Sequence, residues 1–494
     1  MRKLIYLFTL GTLVLGLTSC DDFLDVNDDP NKSSSAEAGP IFTGAITGYS
    51  TNRVIDLGPA VSTAGQMWSG GGSLGAGVFT NPERYNFSIF TTGNTWRSHY
   101  RDIQKDLALA IRNSEESGQT NAIAQCKIIS AMTYWTTTVL WGDVPFSEAI
   151  DVDFDNVAIR NLNPAFDPQE QVLEGVLDLL DESLELIDEG APTAITSGDL
   201  IFKGDMDKWR KFAKSLKLRT LLTMVDADPS KSTDIAALVD EGDLIESSDE
   251  NAAFPFFAEA GNRNPFWETL NAFAGASNFF YFAGKTMVDE MVARNDPRLE
   301  VYFDKYPGGG SSDTIQGAPA GVTDIGYIPW VLSTAPVGTN GTNELVRPNS
   351  VDVLFSVQES QLLQAEAMAR GFGSGGLAGA DSKLRMAITN AMQSYGIDQA
   401  NIDGYLNNEI PDLTSLTPEE AVEIIAVQHW IDCVIRPVEG WTSWRRNEYP
   451  ALNLPEGAAT ADLFRRLPLP PDEIAANDNA PDPEAADVPM WFDK

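Results

Sequence analysis

Few residues in this chain could do chemistry once their spacing is considered. Gly371-Phe372-Gly373-Ser374-Gly375-Gly376 has the spacing of a dinucleotide fingerprint, but that motif cradles a pyrophosphate only between a strand and a helix. Here it follows a helical pattern, Gln361 to Arg370, and reads as a helix-to-helix loop. Gly71-Gly72-Ser73-Leu74-Gly75 has the spacing of a nucleophile elbow, which needs a strand-to-helix turn and a histidine that reaches the serine. The two histidines, His99 and His429, each sit in a helical stretch, and no parallel-sheet pattern surrounds Ser73, so a flexible loop is the reading. Asp151-Val152-Asp153-Phe154-Asp155 opens like a calcium loop, yet Asn156 stands where the turn glycine belongs and Leu162 where the closing glutamate belongs. A solvated acidic loop accounts for it. A zinc-protease helix is excluded by the histidine spacing. Paired carboxylates for glycoside cleavage arise by coincidence among 71 acidic residues, and no pair is nominated. No catalytic residue, metal ligand or cofactor is assigned.

Binding chemistry is better represented. Three long irregular stretches, 63–94, 253–283 and 306–350, carry aromatics at high density: Trp68 and Tyr85 in the first, Trp267 and Tyr281 in the second, Tyr327 and Trp330 in the third. Loops of this length are functional or disordered, and aromatic content of this kind argues against disorder. Rigid aromatic rings in or beside such loops offer a ligand contact area at low conformational-entropy cost. These six residues are therefore the candidate ligand-binding set, each weighed against ordinary packing. The basic run Lys208, Arg210, Lys211, Lys214, Lys217 and Arg219 reads as a helix face paired with acidic neighbours. Trp441-Thr442-Ser443-Trp444-Arg445-Arg446 reads as core at helical spacing.

One further residue carries covalent chemistry. Arg2 and Lys3 precede an apolar run from Leu4 to Leu17, and Leu17-Thr18-Ser19-Cys20 follows. The run falls short of the ~20 residues that span a bilayer. A basic start, a short apolar stretch and small residues before a cut site describe a removed signal, residues 1–19. Cleavage before Cys20 leaves a thiol and an amine to carry fatty acyl chains such as palmitate, which add ~0.8 kcal/mol per buried methylene. The mature chain, 20–494, is thus expected to be anchored to a membrane rather than threaded through it.

Composition suits a globular body behind that anchor, at 43% hydrophobic and 10% aromatic residues. The net charge is −37, and loss of Arg2 and Lys3 with the signal makes it −39. Such a field repels nucleic acid and anionic headgroups, and argues against a strongly anionic ligand. Cys126 and Cys433 remain after lipidation of Cys20. Export permits a disulfide, and both a bridge and two buried thiols stay open.

The elements that must position these residues are amphipathic helices. Asp167-Pro168-Gln169-Glu170 has the form of a capping box and opens a helix with Val172, Val176, Leu180 and Leu184 down one stripe, stopping near Gly190. A second helix begins near Asp205 or Asp207 and runs through Trp209, Phe212, Leu216 and Leu222. A third opens at the capping box Thr417-Pro418-Glu419-Glu420 and continues to Arg436, where Pro437 ends it. Helical patterns recur around Ile111, Ile128 to Leu140, Leu363 to Arg370 and Leu384 to Met392. The length allows two or three domains or one elaborated helical domain. The fold class is all-α, with helix pairs in series and no clean repeat period.

Read in order, these segments resemble the SusD/RagB family of outer-membrane nutrient-binding lipoproteins. The resemblance begins at CDDFLD and NDDPN (20–31) and runs through Leu140-Trp141-Gly142-Asp143-Val144-Pro145-Phe146 and Asn163-Pro164-Ala165-Phe166-Asp167. It continues with SGDLIFKGDMDKWRKFAKSLKLR at 197–219, Asp296-Pro297-Arg298-Leu299 and Gln364-Ala365-Glu366-Ala367. Trp444-Arg445-Arg446, RLPLPPDE at 466–473, Asn477 and the closing PMWFDK complete it, nearly the whole mature chain in family order. The resemblance implies one domain: a tetratricopeptide-like helix-pair scaffold with long irregular ligand-facing loops. It also implies a lid over a SusC-type TonB-dependent β-barrel transporter, capturing oligosaccharides or peptides for import. A surface glycoside hydrolase or esterase and a purely structural lid are the alternatives. An acidic stretch after the lipidated cysteine, here Asp21 and Asp22, accompanies export to the cell surface in such proteins.

Overall fold

The helix at Thr120–Trp141 shows how the body is built, because nearly all of its residues are buried, threonines included. Thr133, Thr136 and Thr137 donate their hydroxyls to the carbonyls of Ile129, Met132 and Thr133 one turn back, so polar side chains enter the core satisfied. A helix apolar on all sides must be surrounded. In this computed structural model the described residues are 37–74, 81–87, 89–150, 161–272, 281–306, 308–333 and 345–493. The signal segment 1–19, Cys20 and the acidic loop at 151–155 lie outside them.

The helices that position everything else are α1 (Ala38–Asn52), α2 (Lys105–Glu116), α3 (Thr120–Trp141), α4 (Gln169–Leu186), α5 (Met206–Met224), α6 (Val357–Ala369), α7 (Gly376–Ser394), α8 (Pro418–Asp432) and α9 (Pro437–Asn447). Successive members pack on one another: α2 on α3, α3 on α4, α4 on α5, then α6 on α7 and α8, and α8 on α9. The all-α expectation holds. Among the described residues no helix is long and apolar enough to cross a membrane. Residues 38–494 form one unit.

Helix boundaries test the capping logic. Thr417 and Glu420 form the reciprocal box expected at the start of α8, and Asp205 caps α5 through the Lys208 N–H. The box expected at Asp167 does not form. Its carboxylate is drawn instead to the backbone N–H groups of Phe146 and Ser147 and the Ser147 hydroxyl, while Asp143 accepts from the first N–H of α4. That helix also stops at Leu186, short of Gly190. Pro437 does not terminate a helix running to Arg436: α8 closes at Asp432, a short 3₁₀ turn follows, and Pro437 opens α9. Proline suits that first position because its missing N–H needs no partner there.

Buried ion pairs lock the scaffold. Arg53 meets Asp352 at 3.0 Å and Glu439 at 2.6 Å, Arg219 meets Glu359 at 2.6 Å, and Arg436 bridges Glu359 at 2.5 Å and Asp432. Arg446 and Arg370 share Glu366. The basic run on α5 is consumed as expected, by Asp249, Asp207, Asp243, Glu250, Glu241, Asp181 and Glu359. Trp441 and Trp444 are core: the Trp441 ring stacks on Phe464 at 4.3 Å and carries the Arg445 guanidinium 3.5 Å from its centroid. Cys126 and Cys433 are both free and buried, so no bridge joins them. Burial pushes both thiols up in pKa and leaves them inert.

Candidate functional site

The irregular stretches converge on a sheet of very short strands. Strands β1 (Trp68–Ser69), β3 (Phe282–Ala283), β4 (Phe303–Asp304) and β5 (Val331–Leu332) pair antiparallel in the order β1-β3-β5-β4. Between them in sequence, β2 (Ala252–Phe254) pairs with β6 (Asp352–Phe355). Each long stretch therefore contributes a strand to the four-stranded sheet, and segments more than 200 residues apart become neighbours. Gly71 and Gly72 make this approach possible. Both have positive φ, and a Cβ would lie 2.2 Å from the Phe282 ring at Gly71 and 2.3 Å from the Val322 carbonyl at Gly72. The SGGG run is thus close-packed against the other stretches, and neither an elbow nor a free loop.

Over this sheet opens a cleft of about 500 Å³, lined by Leu74, Ser312, Gln316, Asp324, Tyr327 and Ile328 among others. Its groups are held in place. Tyr327 donates its hydroxyl to the Gly317 carbonyl at 2.6 Å, and burial pushes that phenol up in pKa. Trp330 donates its indole N–H to the Ser312 carbonyl at 3.1 Å, and its backbone N–H to Gln316 at 2.9 Å. Asp324 is the only charge among the lining residues. The cations nearby are engaged: Lys305 pairs with Asp313, Lys285 with Asp289, and Arg84 donates twice to the Gly321 carbonyl. The chemistry offered is amide, hydroxyl, one carboxylate and an aromatic face.

Glu83, on the first stretch, is 1% exposed. The Ser69 hydroxyl and the N–H groups of Gly321 and Gly70 lie near enough to favour its charged form. Burial outweighs these polar neighbours and pushes its pKa up to about 7. The two histidines face the same desolvation and go the other way. His99 falls to about 3 and His429 to about 4, so both stay neutral in the core.

The six candidate aromatics divide by burial. Trp68, Tyr85 and Tyr281 are 3%, 4% and 6% exposed. Trp68 stacks on Phe266 at 5.6 Å and meets Tyr281 at 5.2 Å, while Tyr85 stacks on Phe464 at 5.7 Å. In this structure they pack into the main hydrophobic core, which the irregular stretches extend. Trp267 is half-buried, with the Arg263 guanidinium 5.3 Å from its ring centroid. Tyr327 and Trp330 are partly exposed, and Tyr327 lines the cleft. Ser312, Gln316, Asp324 and Glu83 were missed in the sequence. Nothing distinguishes a loop serine or a lone acid until the loop is closed.

A family model described as "Starch-binding associating with outer membrane", SusD-like, matches residues 30–470. Among solved structures, a chitin-binding protein superposes with a TM-score of 0.74 at 21% identity, covering 93% of this chain and all of its own. A chitin-binding SusD homolog from Flavobacterium johnsoniae gives 0.73 at 18% identity, covering 92% of this chain and 98% of its own. A SusD homolog from Bacteroides uniformis gives 0.74 at 20% identity, covering 92% and 99%. No curated protein matches. At these identities the superpositions establish the shared fold, and the match over residues 30–470 makes the chain a member of the SusD-like family.

Proposed function

We propose that this protein captures a neutral oligosaccharide in the cleft at Tyr327 and passes it to a SusC-type TonB-dependent transporter, held at the outer face of the outer membrane by acyl chains on Cys20. The observation that carries the reading is the cleft itself. The first and third irregular stretches of a SusD-like chain enclose fixed amide, hydroxyl and aromatic groups there, with no cation among the described lining residues. Neutral sugars suit this set, since hydroxyls find Gln316, Ser312 and Asp324 while CH faces pack on Tyr327, with Trp330, bonded to the Ser312 carbonyl, as a further ring. Starch and chitin fragments are the first ligands to try, because the family description and the solved relatives name those polymers. Calorimetric titration with maltooligosaccharides and chitooligosaccharides tests the reading. Tyr327→Ala is expected to weaken binding of whichever binds by about 2- to 10-fold, the range of aromatic contacts worth 0.5–1.5 kcal/mol. Unaltered binding in Tyr327→Ala and Trp330→Ala would place the site elsewhere. New reducing ends in the same mixtures would turn the reading toward a hydrolase.

A further inference from the structure

A second open cleft shares no residue with the first. It forms where the C-terminal ends of α6 and α9 meet the first turns of α8, encloses about 630 Å³, and is lined by Arg370, Phe372, Glu419, Val422, Glu448 and Tyr449 among others. Its one lining cation is spent inside the scaffold. Arg370 reaches Asp226 at 2.7 Å, Glu366 at 2.9 Å and the Asn447 side-chain Oδ1 at 2.8 Å. What faces outward is acidic, since Glu419, Glu420, Glu423 and Glu448 are all exposed, and among the described residues only Glu448 of these has a basic partner, Arg465. Phe372 and Tyr449 are partly exposed, and among the described residues neither ring stacks on another aromatic or lies under a cation.

Two rings without ring partners beside the free carboxylate of Glu419, in a cleft the size of a few side chains, are the components that recognise an organic cation. An ammonium gains from the ring face and the carboxylates together, and the methylene stem of a lysine covers apolar wall such as Val422. Stacked helix pairs offer polypeptide partners extended surfaces of this kind. We propose that this cleft docks a lysine-bearing peptide segment of a partner protein, with the ammonium beside Glu419 and against the Tyr449 ring.

The test uses the purified protein at about 0.15 M salt, where long-range attraction is screened within ~8 Å. The probes are a fluorescein-labelled Leu-Lys-Leu-Lys peptide and its Leu-Glu-Leu-Glu counterpart, read by anisotropy. The lysine peptide is expected to bind more tightly. Glu419→Lys, at an exposed position, should weaken it about tenfold, and Tyr449→Leu about fivefold, within the 0.5–2 kcal/mol of a cation–π contact. Asp178→Lys, an exposed acid on α4, should leave binding unchanged. Should Glu419→Lys lower the melting temperature, Glu419→Gln serves in its place, with a loss of about threefold. The proposal falls if the two peptides bind alike, or if Asp178→Lys weakens binding as much as Glu419→Lys. A glucosamine oligomer that displaces the peptide at equal concentration would overturn the peptide assignment in favour of an amino sugar.

Discussion

Glu83 gives a prediction whose size follows from its surroundings. An ordinary glutamate titrates near 4.5, and burial raises this one to about 7. Between those values the folded chain keeps a proton that the unfolded chain has released. The native state then binds more protons, so stability falls as pH rises across the window and levels off above about 7. A shift of this size corresponds to about 3 kcal/mol at 1.36 kcal/mol per pKa unit, and Glu83 is buried enough that solvent screening removes little of it. Glu83→Gln keeps the shape and the acceptor oxygen but cannot ionise. Urea denaturation of both proteins at intervals from pH 4 to pH 8 should show the variant gaining about 3 kcal/mol on the parent across the series. Asp56, pushed up to about 6 by burial, adds its own slope to both proteins and cancels in the difference. A difference that stays flat to within about 0.5 kcal/mol, or runs in the opposite direction, would refute the reasoning.

Other consequences are open to direct measurement. Arg436→Met should cost about 3–5 kcal/mol in urea denaturation, because it strands Asp432 as a buried carboxylate without its arginine and leaves Glu359 to Arg219 alone. Gly284→Ala places a methyl 2.4 Å from the Gln66 carbonyl and 2.8 Å from that of Met67, and should cost about 1–3 kcal/mol by prising β1 from β3. A matching loss of glycan affinity would show that the cleft depends on this sheet. Cys20→Ser should shift the protein from the membrane fraction to the soluble fraction of cells, since the acyl anchor proposed here requires that cysteine. Retention in the membrane fraction would refute the anchor. Polygalacturonate should bind at least tenfold more weakly than a neutral oligosaccharide at low salt, given a net charge of −37 and a cleft whose lining charge is Asp324.

What could be read from the sequence was whatever depends on near neighbours. Helical stripes placed α3, α4, α5 and α8, since a 3.6-residue period is local, and the Thr417 box was exact in its partners because both lie within one turn. The pairing of the α5 lysines and arginines followed from composition alone, with acids outnumbering bases 71 to 34. Tertiary structure decided whatever depends on distant chain. Asp167 left its own helix for Phe146 and Ser147, because two backbone N–H groups and a hydroxyl outbid one cap position. Trp68 and Tyr281 sank into the main hydrophobic core where the irregular stretches close on it, while Tyr327 stayed at the surface. Loop aromatics look alike in a sequence, since burial belongs to the closed sheet and not to the residue. The cleft followed the same rule: its amide, hydroxyl and carboxylate groups acquired a common direction only when strands of two residues each fastened segments hundreds of positions apart.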